Sequence, residues 1–530
     1  MSAAQPDCIL ETPSGRVEGR FVDGTIRFLG IPYAKAPTGE RRFASPQPHP
    51  SWDGVRDVTN PPAAPFQSVT GVVNWIYPVP ELMDEDCLSI NVWMPAASEP
   101  LDGLPVLFWL YGGAFVCGHN SLALTDGARL AQEGNMIVVA PNYRLGILGF
   151  ASHSEFIDAD TGACGNWGLQ DQALALEWVH THIEAFGGDP QRITVMGQSA
   201  GAVSAAVLAQ RPQTASRFAQ LVLCSMPYIA PPDVATAQDM AAYIEDLAAH
   251  FGTTVKGLRS LPAQALTHGE SAYFSGYTVR TRTGRGRRWP TLDNHVMTGW
   301  PGAGAIVDKP MLIGNTRTEG SFSLDLYDPL QGGQITPPLP ADAAELHLAV
   351  ARLLAARGFG SNTSVDVAKL LLAFGRYSTG EPGETLVALQ SDAAYRHPTW
   401  RFAQAAVAAG NRSVYYYDFG QPLAKPARGT PHNADVPFWF GTYDHAFYRP
   451  KFGAGPHIDS LSHLMRTTLA NFVHSGRPAL DWPALPASPP TTSGVAAPSV
   501  MRFGHRDAVA CVGDMPDFER LSLLDTIYTI

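Results

Sequence analysis

The sequence lacks the features that mark membrane, secreted and nucleic-acid-binding proteins. No apolar run is long enough to cross a bilayer. The formal net charge of −11 argues against nucleic-acid binding, because a phosphate backbone attracts a basic surface. Residues 1–8 contain neither the basic nor the apolar segment of a secretory signal. We therefore expect a cytoplasmic protein with no nucleic-acid or membrane partner, unless the chain is a mature form that has lost its signal.

Cysteine is scarce and scattered. No C-x-x-C pair and no Cys/His spacing typical of a metal site occurs. This spacing favours buried free thiols over a disulfide framework, and we expect a protein that works without a metal or cofactor. The six cysteines lie at positions 8, 87, 117, 164, 224 and 511.

A repeated pattern of strand, helix and glycine stop runs through residue 225. Continuous apolar strands at 106–111 and 136–140 are expected where helices cover both faces of a sheet. The repeat is typical of a mostly parallel α/β sheet flanked by helices. Residues 9–60 predict a small antiparallel hairpin before it. Residues 61–84 are irregular, and the sequence leaves open whether they cover a pocket or only the surface.

The second half of the chain has a looser pattern. Strands are predicted at 311–316 and 414–419, among helical pieces and loops. No internal repeat occurs, and no linker is long enough to divide the chain. We therefore predict a single domain over residues 1–530 with helical and loop insertions at about 61–84, 226–310 and 325–410.

A serine between two glycines follows a predicted strand at 193–196. The motif Gly197-Gln198-Ser199-Ala200-Gly201 precedes a run of small and apolar residues at helical spacing. Such a junction can hold the Ser199 hydroxyl at the end of a sheet, as in a nucleophile elbow. The alternative is a strand–helix turn that contains glycine and serine for no catalytic reason.

A serine hydroxyl becomes a nucleophile only beside a general base that an acid orients. In one known chain order the acid follows the serine and the histidine comes last. Glu319 follows the strand at 311–316 and His432 follows the strand at 414–419, so both lie where ligands gather in α/β sheets. Alone, each is equally a solvated loop residue. Together with Ser199 they predict a Ser-Glu-His triad.

Acyl transfer also places negative charge on a carbonyl oxygen, which needs preorganised N–H donors. Ala200 follows the predicted nucleophile directly. The Gly112-Gly113-Ala114 turn follows a predicted strand, and its small residues let the backbone approach a substrate. An ordinary glycine loop is the alternative for this turn.

These motifs resemble those of the type-B carboxylesterase/lipase family of α/β-hydrolases, which includes bacterial para-nitrobenzyl esterases and, more distantly, cholinesterases. The matching motifs occur in family order from about residue 9 to 504. They are Phe28-Leu-Gly-Ile-Pro-Tyr-Ala34, Glu85-Asp-Cys-Leu88, Tyr111-Gly-Gly-Ala-Phe115, Gly165-Asn-Trp-Gly-Leu-Gln-Asp-Gln172, Phe186-Gly-Gly-Asp-Pro190, Gly197-Gln-Ser-Ala-Gly201 and Glu319-Gly320.

The resemblance implies an α/β-hydrolase fold and the triad Ser199, Glu319 and His432. It implies that Ser225 supports the acid loop and that Gly112 supports the oxyanion turn. It further implies an oxyanion hole and two structural ion pairs. The oxyanion hole comprises the N–H groups of Gly113, Ala114 and Ala200, and the pairs are Arg42–Glu85 and Arg144–Asp171.

The sequence departs from the family pattern at three points. Gln198 stands where glutamate is commoner, which removes a charge beside the serine and should leave the chemistry intact. The oxyanion turn ends in Ala114 instead of a third glycine. Cys87 lacks its usual disulfide partner, since the matching stretch at 64–67 contains no cysteine.

Five residues are candidates for the substrate pocket. Selectivity for choline esters is not expected, because Trp75 is offset from the choline-binding tryptophan of cholinesterases. Five arginines crowd residues 280–288, and they form either a solvated loop or an acyl pocket that accepts an acidic or bulky ester. The pocket candidates are Phe115, Trp75, Phe322, Arg285 and Arg287.

The sequence therefore predicts a serine carboxylesterase that hydrolyses small-molecule esters through an acyl-enzyme. An amidase or carbamate hydrolase with the same triad is the alternative within catalysis. A non-catalytic adhesion or scaffold protein of the same fold is a distant alternative, because such proteins generally lack the nucleophile. The natural ester and the oligomeric state are not specified by the sequence.

Overall fold

A large mixed β-sheet with helices against both faces is the centre of the computed structural model. The residues that the structure describes are 8–67, 76–96, 103–227, 235–274, 290–301, 306, 308–325, 327–328, 333–334, 338–356, 367–375, 380–424, 429–478, 481–487, 497–505 and 508–528.

The strands, in chain order, are β1 (Ile9–Thr12), β2 (Gly15–Glu18), β3 (Arg20–Val22), β4 (Thr25–Pro32), β5 (Val55–Asp57), β6 (Ser89–Pro95), β7 (Leu104–Leu110), β8 (Ile137–Pro141), β9 (Gly188–Gln198), β10 (Gln220–Cys224), β11 (Ala235–Thr236), β12 (Thr291–Leu292), β13 (Met311–Thr316), β14 (Tyr327–Asp328), β15 (Gly333–Gln334), β16 (Val414–Phe419), β17 (Ser499–His505) and β18 (Ala508–Asp514).

The α-helices, in chain order, are α1 (Ala128–Gly134), α2 (Gly146–Phe150), α3 (Trp167–His182), α4 (Ala200–Gln210), α5 (Pro212–Ala215), α6 (Ala237–His250), α7 (Ala263–Phe274), α8 (Ala343–Ala356), α9 (Val367–Gly375), α10 (Pro382–Ser391), α11 (His397–Ala408), α12 (Val436–Phe440), α13 (Arg449–Phe452), α14 (Pro456–Ser475) and α15 (Phe518–Tyr528).

The main sheet has eleven strands among the described residues, in the order β3-β4-β6-β8-β7-β9-β10-β13-β16-β17-β18. Its centre, from β8 to β17, is parallel throughout. Antiparallel pairs close both edges. The N-terminal hairpin of β1 and β2 pairs with β5 in a separate small sheet. The predicted parallel α/β sheet with an N-terminal antiparallel hairpin is confirmed.

Strand β7 shows how the apolar pattern produces the two helix layers. Side chains of a strand alternate between the two faces of a sheet. Val106 and Phe108 pack into one buried cluster with residues of α3 and α4, whereas Leu107 and Trp109 pack into another with residues of α1 and α14. Because both faces are covered, the strand is apolar at every position and alternation is absent from its sequence.

Both ion pairs implied by the family resemblance are present. Arg144 Nη2 lies 2.7 Å from Asp171 Oδ1, and both side chains are almost completely buried. Arg42 Nη2 lies 2.5 Å from Glu85 Oε2, and the Arg42 guanidinium also donates to carbonyl oxygens after α6. Removing one partner of such a pair leaves a buried charge uncompensated.

The predicted insertions contain helices α6 to α10, so far as the structure describes them. Helices α8, α9, α10 and α15 share a third apolar cluster. Helix α11 also falls within the predicted 325–410 insertion, but it packs on β13 and β16 and belongs to the layers around the sheet. Strand β18 and helix α15 are absent from the sequence prediction, and the division into one domain with insertions stays a prediction.

Two thiols differ in their surroundings. Cys87 is a free and buried thiol, as expected, whereas Cys511 is exposed on the edge strand β18. Its neighbour Val512 is exposed as well, so this part of the edge strand lies at the protein surface. Within the described ranges, none of the helices combines the length and apolarity needed to cross a bilayer.

Candidate active site

Ser199 lies on a strained turn between β9 and α4. Its backbone has φ 55° and ψ −123°, a conformation that costs energy for a residue with a side chain. The two flanking glycines make the turn possible. A Cβ atom on Gly201 would lie 2.0 Å from the Leu110 carbonyl oxygen, and one on Gly197 would lie 2.2 Å from the Gly201 oxygen. The motif therefore fits its structural context.

Neighbouring backbone holds this turn in place. The Ser199 N–H donates to the Cys224 oxygen at 2.9 Å, and the Ser199 carbonyl accepts from the Val203 N–H at 3.1 Å. The first bond ties the turn to the end of β10, and the second starts α4. Ser199 keeps 8% of its surface exposed.

Glu319 begins a short 3₁₀ helix directly after β13, and it is completely buried. Its Oε1 accepts hydrogen bonds from the Ser225 hydroxyl at 2.6 Å and from the Thr316 N–H at 2.7 Å. Its Oε2 lies 2.5 Å from Nδ1 of His432. The carboxylate is therefore held by two donors while it orients the imidazole ring.

The loops that carry Glu319 and His432 are joined by backbone contacts. The His432 N–H donates to the Glu319 carbonyl oxygen at 3.1 Å. Nearby, the Thr318 N–H donates to the Thr430 oxygen at 3.1 Å, and the Thr430 N–H donates to the Thr318 hydroxyl at 2.6 Å. The relative position of acid and histidine is thus set by the backbone as well as by their side chains.

The remaining ring nitrogen of His432 faces a residue that sequence reasoning did not place there. Gln198 Nε2 lies 3.0 Å from His432 Nε2. When Nδ1 carries the proton donated to Glu319, Nε2 has a lone pair that accepts from the amide. The amide oxygen of Gln198 is buried and, among the described residues, has no partner. The sequence identifies Gln198 as part of the serine motif, but it does not show the direction of the side-chain amide.

The turn after β7 lies against the serine. A Cβ atom on Gly112 would lie 3.0 Å from the Ser199 Cβ, and Gly113 has φ +104°. Ala114 also has positive φ and is exposed. Within the described chain, the N–H groups of Gly113, Ala114 and Ala200 donate to no protein acceptor. Unpaired N–H groups at a helix start and a tight turn can stabilise a negative oxygen.

Aromatic rings stand beside His432. The Phe322 ring centroid lies 5.5 Å from that of His432, and the Tyr395 centroid lies 4.3 Å from it. Tyr395 belongs to a π-helical turn, Asp392–Arg396, and such turns frequently occur at functional sites. Sequence reasoning missed Tyr395, because periodicity does not reveal a single π turn.

The described end of the irregular 61–84 segment brings Tyr77 near Tyr395. Burial raises the pKa of the Tyr77 hydroxyl well above its usual value, and Cys117, Tyr143 and Tyr395 lie close enough to raise it further. Of the two interpretations of this segment, the position of Tyr77 favours a covering over the pocket.

Phe115, another predicted pocket residue, lies in the apolar core. Its ring packs edge to face on that of Phe150 at a centroid distance of 5.0 Å. Trp75, Arg285 and Arg287 lie outside the described residues, with the rest of the 280–288 arginine cluster. In the described ranges, no group of three or more histidine, cysteine or acidic side chains is arranged to hold a metal ion.

The site has a serine on a strand–helix turn, a histidine–glutamate pair on loops after two later strands, and a turn whose N–H groups are unpaired among the described residues. These three features are those of an α/β-hydrolase site capable of acyl transfer. The model of the carboxylesterase family matches residues 6–502. The chain therefore belongs to the carboxylesterase family, and it is a carboxylic ester hydrolase with the α/β-hydrolase fold.

Individual relatives agree with this assignment. The para-nitrobenzyl esterase of Bacillus subtilis (strain 168) is 31% identical over 484 residues, which cover 90% of this chain and 92% of that protein. A solved structure of a thermophilic para-nitrobenzyl esterase superimposes with a TM-score of 0.77 at 27% identity, covering 97% of this chain and all of the other. A cholinesterase is a more distant relative: acetylcholinesterase of Danio rerio is 38% identical over 234 residues, covering 42% of this chain and 36% of that protein.

Proposed function

We propose that this chain is a serine carboxylesterase in which Ser199 is the nucleophile, His432 the general base and Glu319 the acid that orients it. The observation that carries the proposal is the 2.5 Å contact between His432 Nδ1 and Glu319 Oε2, on loops fixed beside the strained Ser199 turn. A hydroxyl is a weak nucleophile at neutral pH, and in this proposal His432 is the base that it needs.

In the first half of the reaction, His432 takes the Ser199 proton as the oxygen attacks the ester carbonyl. The resulting imidazolium is stabilised by Glu319, which remains ionised. His432 then gives the proton to the departing alcohol oxygen, and an acyl-enzyme remains. In the second half, His432 activates a water molecule that releases the acid and restores Ser199.

The negative oxygen of each tetrahedral intermediate is proposed to bind the N–H groups of Gly113, Ala114 and Ala200. Loss of one such donor in other enzymes typically lowers kcat by about 10² to 10³. Gly112 supports this role by leaving space for the turn against Ser199, since a Cβ atom there would also lie 2.4 Å from Gln198 Oε1.

The substrate is proposed to be a small ester with an aromatic part. The rings of Phe322 and Tyr395 lie beside His432. The name of the para-nitrobenzyl esterase relative indicates an aryl-containing ester. We retain Trp75, Arg285 and Arg287 as proposed pocket residues on the sequence argument alone. The ester that they would accept has an acidic or bulky acyl group.

Hydrolysis of para-nitrophenyl esters of increasing acyl length tests the mechanism. The wild type should be active, and Ser199→Ala should lose at least about 10³-fold in kcat, since triad members act as a unit. Ser204→Ala is a matched control, because this serine is buried on α4 and has no hydrogen-bond partner among the described residues. Activity that survives Ser199→Ala would overturn the proposed nucleophile.

Matched ester, amide and carbamate substrates with the same acyl group then separate the esterase from the amidase and carbamate hydrolase. We expect kcat/KM to be highest for the ester, because the alkoxide is the better leaving group. A higher kcat/KM for the amide or carbamate would show that the enzyme is an amidase or carbamate hydrolase, with the same proposed triad.

A further inference from the structure

A cavity opens at the carboxyl ends of β13, β16 and β17. Its volume is about 650 Å³, within the range of small-molecule sites. Four of its lining side chains are basic, which is unusual in a chain with a net charge of −11. They are Arg317, His457, Arg502 and His505.

Among the described residues, the ionic network beneath this cavity has more guanidinium groups than carboxylates. Arg317 Nη2 lies 3.2 Å from Asp517 and its Nη1 lies 3.7 Å from the buried Asp418. The other members extend the same network into the interior. The four guanidinium groups are those of Arg317, Arg396, Arg502 and Arg520, and the three carboxylates are those of Asp392, Asp418 and Asp517.

Arg502 is the arginine that the carboxylates leave uncompensated. Its Nη2 lies 3.4 Å from His505 Nδ1, and its Nε is buried. Within the part of the chain that the structure describes, that Nε has no partner and no carboxylate pairs with this guanidinium. His505 Nε2 lies 2.8 Å from Asp418 Oδ2, so the imidazole is already held by the network.

The two arginines at the cavity also act on each other. Burial lowers the pKa of Arg317 from its ordinary value, against the effect of Asp418 and Asp517, and the charges of Arg396 and Arg502 lower it further. Arg317 and Arg502 are therefore close enough to repel. An anion placed between them would relieve that repulsion and pair with the uncompensated charge.

We propose that this cavity binds a phosphate group, either as inorganic phosphate or at the end of a small phosphomonoester. Two guanidiniums and the His457 imidazole approach from β13, β17 and α14, and donors from several directions suit a tetrahedral anion. A planar carboxylate is satisfied by one guanidinium in bidentate geometry. The cavity is larger than one phosphate ion, which leaves room for an organic substituent.

This cavity is separate from the candidate active site. Arg317 precedes Glu319 by two residues, but the two side chains have different partners: Arg317 pairs with Asp418 and Asp517, whereas Glu319 faces His432 and Ser225. Neither Ser199 nor His432 lines the cavity. The proposal therefore stands independently of the triad.

Isothermal titration calorimetry of the full chain with sodium phosphate and with phenyl phosphate, at constant ionic strength set by sodium chloride, tests the proposal. We expect saturable binding of at least one probe and an affinity at least about ten-fold lower in Arg502→Gln, since hydrogen bonds to charged groups are the strong ones. Tighter binding of phenyl phosphate would identify the ligand as a phosphomonoester. Equal or tighter binding of inorganic phosphate would identify it as the free ion.

Arg412→Gln is the matched control. Arg412 is exposed just before β16, whereas the cavity lies just after that six-residue strand, so the two sites are separated by roughly 20 Å. This variant changes the net charge equally and should bind like the wild type. If Arg502→Gln does not fold, His457→Ala removes one donor outside the ionic network and should also weaken binding. No saturable heat with either probe, or unchanged affinity in the folded variant, would refute the phosphate site.

Discussion

The side-chain amide of Gln198 lies 3.0 Å from His432 Nε2, the ring nitrogen that must receive the Ser199 proton in the proposed mechanism. In the resting enzyme the amide N–H donates to that nitrogen, so this hydrogen bond must break before His432 can accept the Ser199 proton. An uncharged amide stabilises the neutral ring without attracting a proton to it. Gln198 is thus a positioning residue next to the base. It lies there because it directly precedes Ser199 in the same turn.

Replacing Gln198 by glutamate should move the acid limb of the kcat/KM profile to higher pH by about one unit. A carboxylate at the same position favours the protonated imidazole, because an opposite charge within 4–6 Å stabilises it. Less of the base is then available near neutral pH, and kcat/KM falls most at the acid end. Profiles of para-nitrophenyl ester hydrolysis between pH 5 and 9 measure this shift.

Gln198→Met is the neutral control, because it keeps the volume and removes the amide without adding charge. Its acid limb should lie much closer to the wild-type position than that of Gln198→Glu. Identical acid limbs in the wild type and Gln198→Glu would show that the amide does not stand beside the base in solution.

Ser225 should support catalysis through Glu319. Its hydroxyl supplies one of the two hydrogen bonds to Oε1 of this buried carboxylate, at 2.6 Å. Ser225→Ala should therefore lower kcat by about ten-fold or more with little change in KM, since a hydrogen bond to a charged group contributes roughly 1.5–3 kcal/mol. Steady-state kinetics on one ester gives both constants.

Ser204→Ala provides the comparison, since it removes a buried hydroxyl that has no partner among the described residues. Its kcat should stay near the wild-type value. An equal effect of Ser204→Ala and Ser225→Ala would mean that loss of a buried hydroxyl, and not the Glu319 contact, causes the change.

The main elements and the proposed catalytic residues were accessible from the sequence because each has a local signal. Strands β13 and β16 are apolar segments at the predicted bounds, 311–316 and 414–419. Glu319 and His432 lie in the loops that follow these strands, so the parallel pairing of the strands brings the two loops to one edge of the sheet. Ser199 is marked by its flanking glycines, whose necessity is local and steric.

The contacts that refine the site have no local signal. The position of the Gln198 amide depends on a histidine 234 positions later in the chain. Tyr395 reaches His432 through a π turn. Among the described residues, Arg502 has no carboxylate partner, and the three nearby carboxylates pair with other arginines. Helix α15 was missed because its apolar side packs on insertion helices that come from distant sequence.

Asp435, three residues after His432, should make stability depend on pH. Burial raises the pKa of its carboxyl to about 6, and the nearby Glu319 charge contributes, although hydrogen bonds from Tyr417 and Trp439 act in the opposite direction. In the unfolded chain this pKa is about 3.9. The folded state therefore binds the proton more tightly, and the free energy of unfolding falls as pH rises from about 4 to 6.

Between pH 5 and pH 8 this carboxyl should remove roughly 1.4 kcal/mol from the free energy of unfolding, and Asp435→Asn should abolish that loss. Urea unfolding at both pH values measures it, as the change in the stability difference between variant and wild type. Asp53→Asn, at an exposed carboxylate, controls for loss of one charge. If the stability of Asp435→Asn relative to the wild type were the same at both pH values, the carboxyl would not be buried in the way the structure shows.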